Sequence, residues 1–162
     1  MKNGKTITVR RATRDDLPAL AGLNREVQEI HAALFPDIFR SPDTWVSEKW
    51  FREQLGDNRA TVLVATDSET ILGYIVLRVL DRPAGTFGHA RQSLYVDHIC
   101  VTRSARQRGV GRALIAGAKA RARDLHLPRL ELDVWTRNRT AREAFEALGF
   151  QTQMERMTLP LD

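Results

Sequence analysis

Residues 99–112 read Ile99-Cys100-Val101-Thr102-Arg103-Ser104-Ala105-Arg106-Gln107-Arg108-Gly109-Val110-Gly111-Arg112: an apolar strand ends, a basic turn follows, and two glycines open a helix. The start of a helix exposes backbone N–H groups that have no intrahelical acceptor, and it carries a partial positive charge, so it attracts anions. Gly109 and Gly111 have no side chains, which lets an anion approach those amides closely. Arg106, Arg108 and Arg112 add fixed positive charge around the same point. The segment reads as a cradle for a phosphate or pyrophosphate. Two familiar phosphate loops do not account for it. A Walker loop needs a Lys-Ser/Thr pair after its last glycine, and Gly111 is followed by Arg112-Ala113. The dinucleotide fingerprint needs a glycine where Leu114 stands, early in a βαβ unit rather than after four strands.

Working outward, Ser93 to Thr102 (SLYVDHICVT) is a strand, and Asp81 to Ala90 (DRPAGTFGHA), with Pro and two Gly, reads as a mobile loop. Ahead of it, Ala60 to Thr66 and Ile71 to Leu80 form two strands joined by the short polar link Asp67-Ser68-Glu69-Thr70, a hairpin signal. Earlier still, Leu17, Leu20, Leu23, Val27, Ile30 and Leu34 fall at helical spacing, with Asp16 a better cap than Thr13 because Pro18 is tolerated only in a first turn. Breaks at Phe35-Pro36-Asp37 and Ser41-Pro42-Asp43 precede a second helix, Thr44 to Leu55, and Ile7 to Arg11 is an opening strand. On the other side, a helix from about Gly109 to Leu125 presents Val110, Ala113, Leu114, Gly117, Ala118, Ala122 and Leu125 inward. Pro128 ends it, Arg129 to Trp135 alternates as a fifth strand, and a last helix starts near Asn138 and stops at Gly149. A final strand is expected from Phe150. The order is β-α-α-β-β-β-α-β-α-β.

The chain of 162 residues suits one domain, 1–162, and its 43% hydrophobic and 28% charged content is near the average of soluble globular proteins. No run of roughly 18 apolar residues is present, which argues against a membrane span. MKNGKTITVRRATRDD lacks an apolar stretch of the kind that secretory signals carry. Cys100 is the one cysteine, so an internal disulfide or a multi-cysteine zinc site is excluded. A cytoplasmic location without a metal is expected. The net charge of +5 does not make a nucleic-acid partner: no helix carries basic and base-reading residues together, and no basic strand offers an aromatic platform.

Arg106-Gln107-Arg108-Gly109-Val110-Gly111 resembles the R/Q-x-x-G-x-G/A signature of the GCN5-related N-acetyltransferases, the GNAT family. Val101, five positions before Arg106, matches the family's strand-ending valine, and Asn138…Ala141…Phe145…Leu148-Gly149-Phe150 is similar to its N-x-x-A…F/Y-E-x-L-G-F ending. VRRATRDDLPAL and ILGYIVL also resemble its N-terminal half, so the likeness covers nearly the whole chain. It implies a mixed α/β fold with a central, mostly antiparallel twisted sheet of six to seven strands flanked by about four helices. It implies acetyl transfer from acetyl-CoA to a primary amine by direct attack in a ternary complex, with a catalytically silent acyl-CoA sensor as the alternative. It further implies that backbone groups of Ile99, Cys100 and Val101 pair with the pantetheine arm, and that amides from Arg106 through Gln107, Arg108, Gly109, Val110 and Gly111 to Arg112 hold the pyrophosphate. Asn138 would contact the cofactor where the fourth and fifth strands part, and Phe145 would lie near the thiol end or simply pack. A homodimer is common in the family.

An amine acceptor is mostly an ammonium at neutral pH and must lose a proton before it attacks. A strand-four amide, that of Val101, would meet the oxyanion. Asp97 and Tyr95 are two apart and share a face unless a bulge intervenes; they are the candidates for the base or its water relay. Asp97 could equally be paired with a nearby arginine. His98 falls on the opposite face by simple alternation, and His31 and His89 are weaker candidates. Phe145 stands where many family members carry a tyrosine that protonates the departing thiolate, so the general acid is left open between Tyr95, water and another group. The acceptor, a small-molecule amine or a protein or peptide amine, would be selected by Phe35 to Trp45 and Arg82 to Arg91.

Overall fold

The apolar, β-branched run of Ile71 to Leu80 has no polar face to present to water, and in the computed structural model it forms the middle strand of the sheet, buried on both sides. The structure describes residues 6–68 and 70–161; Glu69 of the expected hairpin link and residues 1–5 lie outside them. Five strands, β1 (Ile7–Arg11), β2 (Ala60–Asp67), β3 (Thr70–Arg82), β4 (Arg91–Val101) and β5 (Leu130–Glu131), are ordered β1-β2-β3-β4-β5. The first four pair antiparallel, and β5 joins β4 in parallel. Four α-helices, α1 (Leu17–Leu34), α2 (Thr44–Gly56), α3 (Val110–Asp124) and α4 (Arg139–Ala147), complete the mixed α/β fold. Among the described residues no helix is long and apolar enough to cross a membrane.

Alternation along the strands sorts the core into two layers. Leu63, Ala65, Ile75, Leu77, Leu94 and Val96 face α3 and its Val110, Leu114, Ile115 and Ala118. Val62, Val64, Tyr74, Val76 and Cys100 face α1 and α2, where Leu17, Leu20, Leu23 and Phe51 cover them. Each fully buried aliphatic side chain contributes about 1.5–3 kcal/mol. At Gly73 the strands approach so closely that a Cβ would lie 2.6 Å from the Cys100 carbonyl oxygen, so only glycine fits. The start of α1 follows Asp16 as expected, but the Asp16 carboxylate turns backward. It accepts from the Thr13 amide at 2.7 Å and holds Arg10 at 2.8 and 2.9 Å, which stabilises the entry turn.

Three expectations need correction. Val76 pairs with His98 while Leu77 pairs with Val96, so Asp97 is an extra residue that bulges from β4. Beyond the bulge the alternation is inverted: Leu94 and Val96 face α3 before it, Ile99 packs on that same side after it, and His98 turns to the α1–α2 side. His98 therefore shares the face of Tyr95 and Asp97, contrary to the alternation read from the sequence. Second, β5 ends after two paired residues, Leu94↔Leu130 and Tyr95↔Glu131, just before the bulge, instead of running to Trp135. Third, no strand begins at Phe150. Residues 151–161 (QTQMERMTLPL) break alternation with polar runs, contain Pro160, and are exposed throughout. The sheet accordingly has five strands among the described residues rather than six to seven.

Candidate active site

β4 ends where the Thr102 amide donates to the Leu72 carbonyl at 2.9 Å. A 3-10 turn, Arg103–Ala105, then carries the chain round to α3. The turn needs backbone in the left-handed region at Gln107 (φ 60°) and Gly109 (φ 86°), a conformation natural to glycine. Gly109 occupies the N-cap position, where it has no side chain to cap the helix. The first bond of α3 runs from the Ala113 amide to the Gly109 carbonyl at 3.0 Å. Among the described residues, the amides of Gln107 through Arg112 make no well-aligned backbone hydrogen bond, although residues 106–109 form a turn. A Cβ built on Gly109 would meet nothing within 4 Å, and one on Gly111 only Val101 Cγ2 at 4.0 Å, so the space beside both glycines is empty. These features fit a diphosphate: converging donors, a helix dipole and room for the oxygens.

The flanking arginines divide their work. Arg106 lies across the end of β4, with Nε 3.4 Å from the Val101 carbonyl, and Arg112 is exposed. Arg108 is bound to Asp67 at 3.2 Å and so anchors the turn to the end of β2. From Val96 onward no β5 residue pairs with β4, which leaves that edge at Ile99, Cys100 and Val101 open to an extended ligand. The Cys100 side chain points away from the edge; its thiol donates to the Leu23 carbonyl at 3.3 Å, and burial pushes its pKa up to about 12. That cysteine is a packing residue. On α4, Asn138 caps the helix by accepting from the Ala141 amide at 3.3 Å, and Phe145 meets Phe150 edge to face at 5.8 Å. No hydrogen bond or ring contact joins Asn138 or Phe145 to β4 among the described residues.

On the α1–α2 side of the bulge, a second group of side chains assembles. Tyr95 donates its hydroxyl proton to Asp133 at 3.2 Å, and burial together with that carboxylate pushes its pKa up to about 12. Asp97 accepts from Arg78 Nε at 3.1 Å; the same guanidinium also binds Asp57 at 2.9 Å and the Gln54 side-chain oxygen. Arg82 binds Glu131 at 2.8 Å. His98 Nδ1 meets the Tyr74 hydroxyl at 2.9 Å, Tyr74 meets Asn24 at 3.1 Å, and Asn24 meets Ser47 at 2.8 Å, forming a polar chain from the bulge to α2. Burial lowers the pKa of His98, with a smaller contribution from His31, to about 4. Burial alone lowers that of His31. Next to them, Phe39 packs tilted against His31 at 4.8 Å and meets Trp135 at 5.4 Å, and Phe35 meets Trp135 at 4.7 Å. His89 stays exposed in the loop before β4.

The structure thus brings Tyr95 and Asp97 onto one face and sets the glycine turn into α3 just beyond the end of the same strand. It adds His98, Tyr74, Asn24, Arg78 and Asp133, which the sequence reading had not assigned. Two signals for them were present: Asn24 falls on the apolar stripe of α1, and Tyr74 sits in an otherwise aliphatic strand. A buried polar side chain requires a partner, and here each is the other's.

Residues 24–150 match the sequence model of the acetyltransferase (GNAT) family. No curated protein sequence matches the chain significantly. Among solved structures, a tetramutant of the BH1408 protein from Bacillus halodurans is 29% identical with a TM-score of 0.90, over 95% of this chain and 99% of that one. AAC(6')-Iy in complex with the bisubstrate analogue CoA-S-monomethyl-acetylneamine gives a TM-score of 0.77 at 18% identity, over 97% of this chain and 99% of that one. A transcriptional regulator from Bacillus halodurans C-125 gives 0.71 at 22% identity, over 96% of this chain and 100% of that one. The last two likenesses concern the fold alone.

Proposed function

The chain belongs to the acetyltransferase (GNAT) family, and from that premise we propose that it moves an acetyl group from acetyl-CoA to a primary amine by direct attack in a ternary complex. The observation that carries this reading is the run of amides from Gln107 to Arg112 without a well-aligned backbone hydrogen bond, set beyond the end of the open edge of β4. In this reading residues 1–162 act as one domain. The amides and Arg106 and Arg112 hold the diphosphate, while backbone groups of Ile99, Cys100 and Val101 pair with the pantetheine arm. Asn138 uses its side-chain oxygen to cap α4, which leaves its amide nitrogen for the cofactor.

For the chemistry, Asp97 is the carboxylate at the bulge, and its side chain keeps 32% exposure while bound to Arg78. We assign it to orienting a water that carries the ammonium proton away to solvent, because Arg78 already engages one of its carboxylate oxygens. Tyr95 stays protonated at neutral pH, and turning its hydroxyl from Asp133 to the departing thiolate would supply the proton that Phe145 cannot. The Val101 amide is the donor assigned to the developing oxyanion.

Incubation with acetyl-CoA and a panel of amines, followed by measurement of free thiol, tests the proposal. Amine-dependent thiol release is the expected result. Phe145 favours a second reading, a silent acyl-CoA-binding module, and acetyl-CoA binding without release for any amine would select it.

A further inference from the structure

We infer that the acceptor is a monoamine carried on an aromatic or broad apolar body, seated against Trp135 and Phe39 with its ammonium toward Asp133. The inference rests on the acetyl-transfer reading above and names the substrate class of that site.

Two observations carry it, one about rings and one about charge. Trp135 keeps 40% exposure even though Phe35 and Phe39 pack against it, so part of a large indole remains open beside β4. Phe39 leads on to His31, and His31 lies 6.5 Å from His98 between ring centroids. A run of ring contacts therefore leads from Trp135 through Phe39 and His31 to His98 at the bulge. Both imidazoles are biased to the neutral form by burial, so they add no charge to it. Such a run of rings suits an apolar or aromatic body by stacking and area burial.

The charges on the same face nearly cancel. Asp57 and Asp97 share Arg78, Glu131 holds Arg82, and the Arg137 guanidinium lies over the Phe35 ring at 5.5 Å. Asp133 is left over: its carboxylate accepts from the Tyr95 hydroxyl, and among the described residues no cation lies within ion-pair distance. One free carboxylate matches one ammonium. A polyamine or an aminoglycoside brings several ammonium groups, and here the additional charges would meet Arg78, Arg82 or Arg137 without unpaired carboxylates to receive them.

The test is a comparison of kcat/KM by thiol release for 2-phenylethylamine and tryptamine against spermidine and neamine. The expected result is at least about a ten-fold preference for the arylalkylamines. Trp135→Ala should raise the KM for 2-phenylethylamine several-fold with little change in kcat, and Phe39→Leu should do the same to a smaller extent. Asp133→Asn should raise the KM for every amine. Faster release with spermidine or neamine, or unchanged KM in both ring variants, overturns the assigned acceptor class and leaves acetyl transfer standing. Release with no amine at all, while acetyl-CoA still binds, removes the acceptor class together with the transfer reading.

Discussion

The Tyr74 hydroxyl lies 2.9 Å from Nδ1 of His98. Asn24 Nδ2, a pure donor, sits 3.1 Å from the same hydroxyl oxygen, so the phenol accepts from Asn24 and gives its single proton to His98. His98 is consequently a neutral imidazole whose own proton is on Nε2. The bulge at Asp97 makes this arrangement possible, because without it His98 would face α3.

The first prediction concerns that histidine. Its folded pKa, about 4, lies below the ordinary value of 6.5, so the unfolded chain binds more protons between those limits. The stability contributed by the neutral ring is complete above pH 6.5 and is lost as pH falls through about 4. In urea titrations the protein should weaken over that window by up to about 1.4 kcal/mol per pH unit from this group. His98→Gln should flatten the dependence. Tyr74→Phe should cost about 1–3 kcal/mol at neutral pH, because it leaves two buried polar atoms without partners.

Gly111 separates binding from folding. A Cβ there meets only a methyl at 4.0 Å, so Gly111→Glu should fold normally. The added carboxylate would stand among the amides assigned to the diphosphate. Calorimetry should show coenzyme A affinity reduced by about a hundred-fold or more, the range expected for like charges brought together at an anion site. Gly109→Glu should reduce it as well, with an additional stability cost from its φ of 86°.

Asp97 should matter for rate rather than cofactor affinity. Asp97→Asn is expected to lower kcat by roughly 10²-fold, the scale of a lost acid–base function, and to leave acetyl-CoA binding nearly unchanged. Arg78 retains Asp57 and Gln54 in that variant, so the face should stay ordered. An equal loss in kcat and in cofactor affinity would show that Asp97 acts on the fold instead.

Phe145 allows the general acid to be tested in the gaining direction. Phe145→Tyr introduces a hydroxyl where the family often has one, and kcat should rise several-fold if proton donation to the thiolate limits the rate. Tyr95→Phe should lower kcat in the parent protein and do so less in the Phe145→Tyr background. Such non-additivity is expected when two groups serve one step.

Much of the fold was legible because its signals are local. Pro18 after Asp16, the glycine at 109 and the cap at Asn138 each determine a helix end through backbone chemistry that neighbouring residues cannot alter. The glycine turn that opens α3 was legible for the same reason. The grouping of side chains around the bulge was not, because it depends on a single extra residue in β4. A bulge at Asp97 inverts the facing of every residue after it, and nothing in SLYVDHICVT marks which residue will be unpaired. The short β5 and the unpaired segment after Phe150 follow from long-range pairing, which alternation within one segment cannot specify.

The central claim is that the peptide nitrogens at the head of α3 bind a diphosphate. Titration of labelled protein with acetyl-CoA, followed through backbone amide NMR shifts, tests it directly. The amides from Gln107 to Arg112 should shift strongly and saturate together, and those of Ile99 to Val101 should follow the same curve. If acetyl-CoA binds while the Gln107–Arg112 amides stay unmoved, the cradle is not the cofactor site and the account fails.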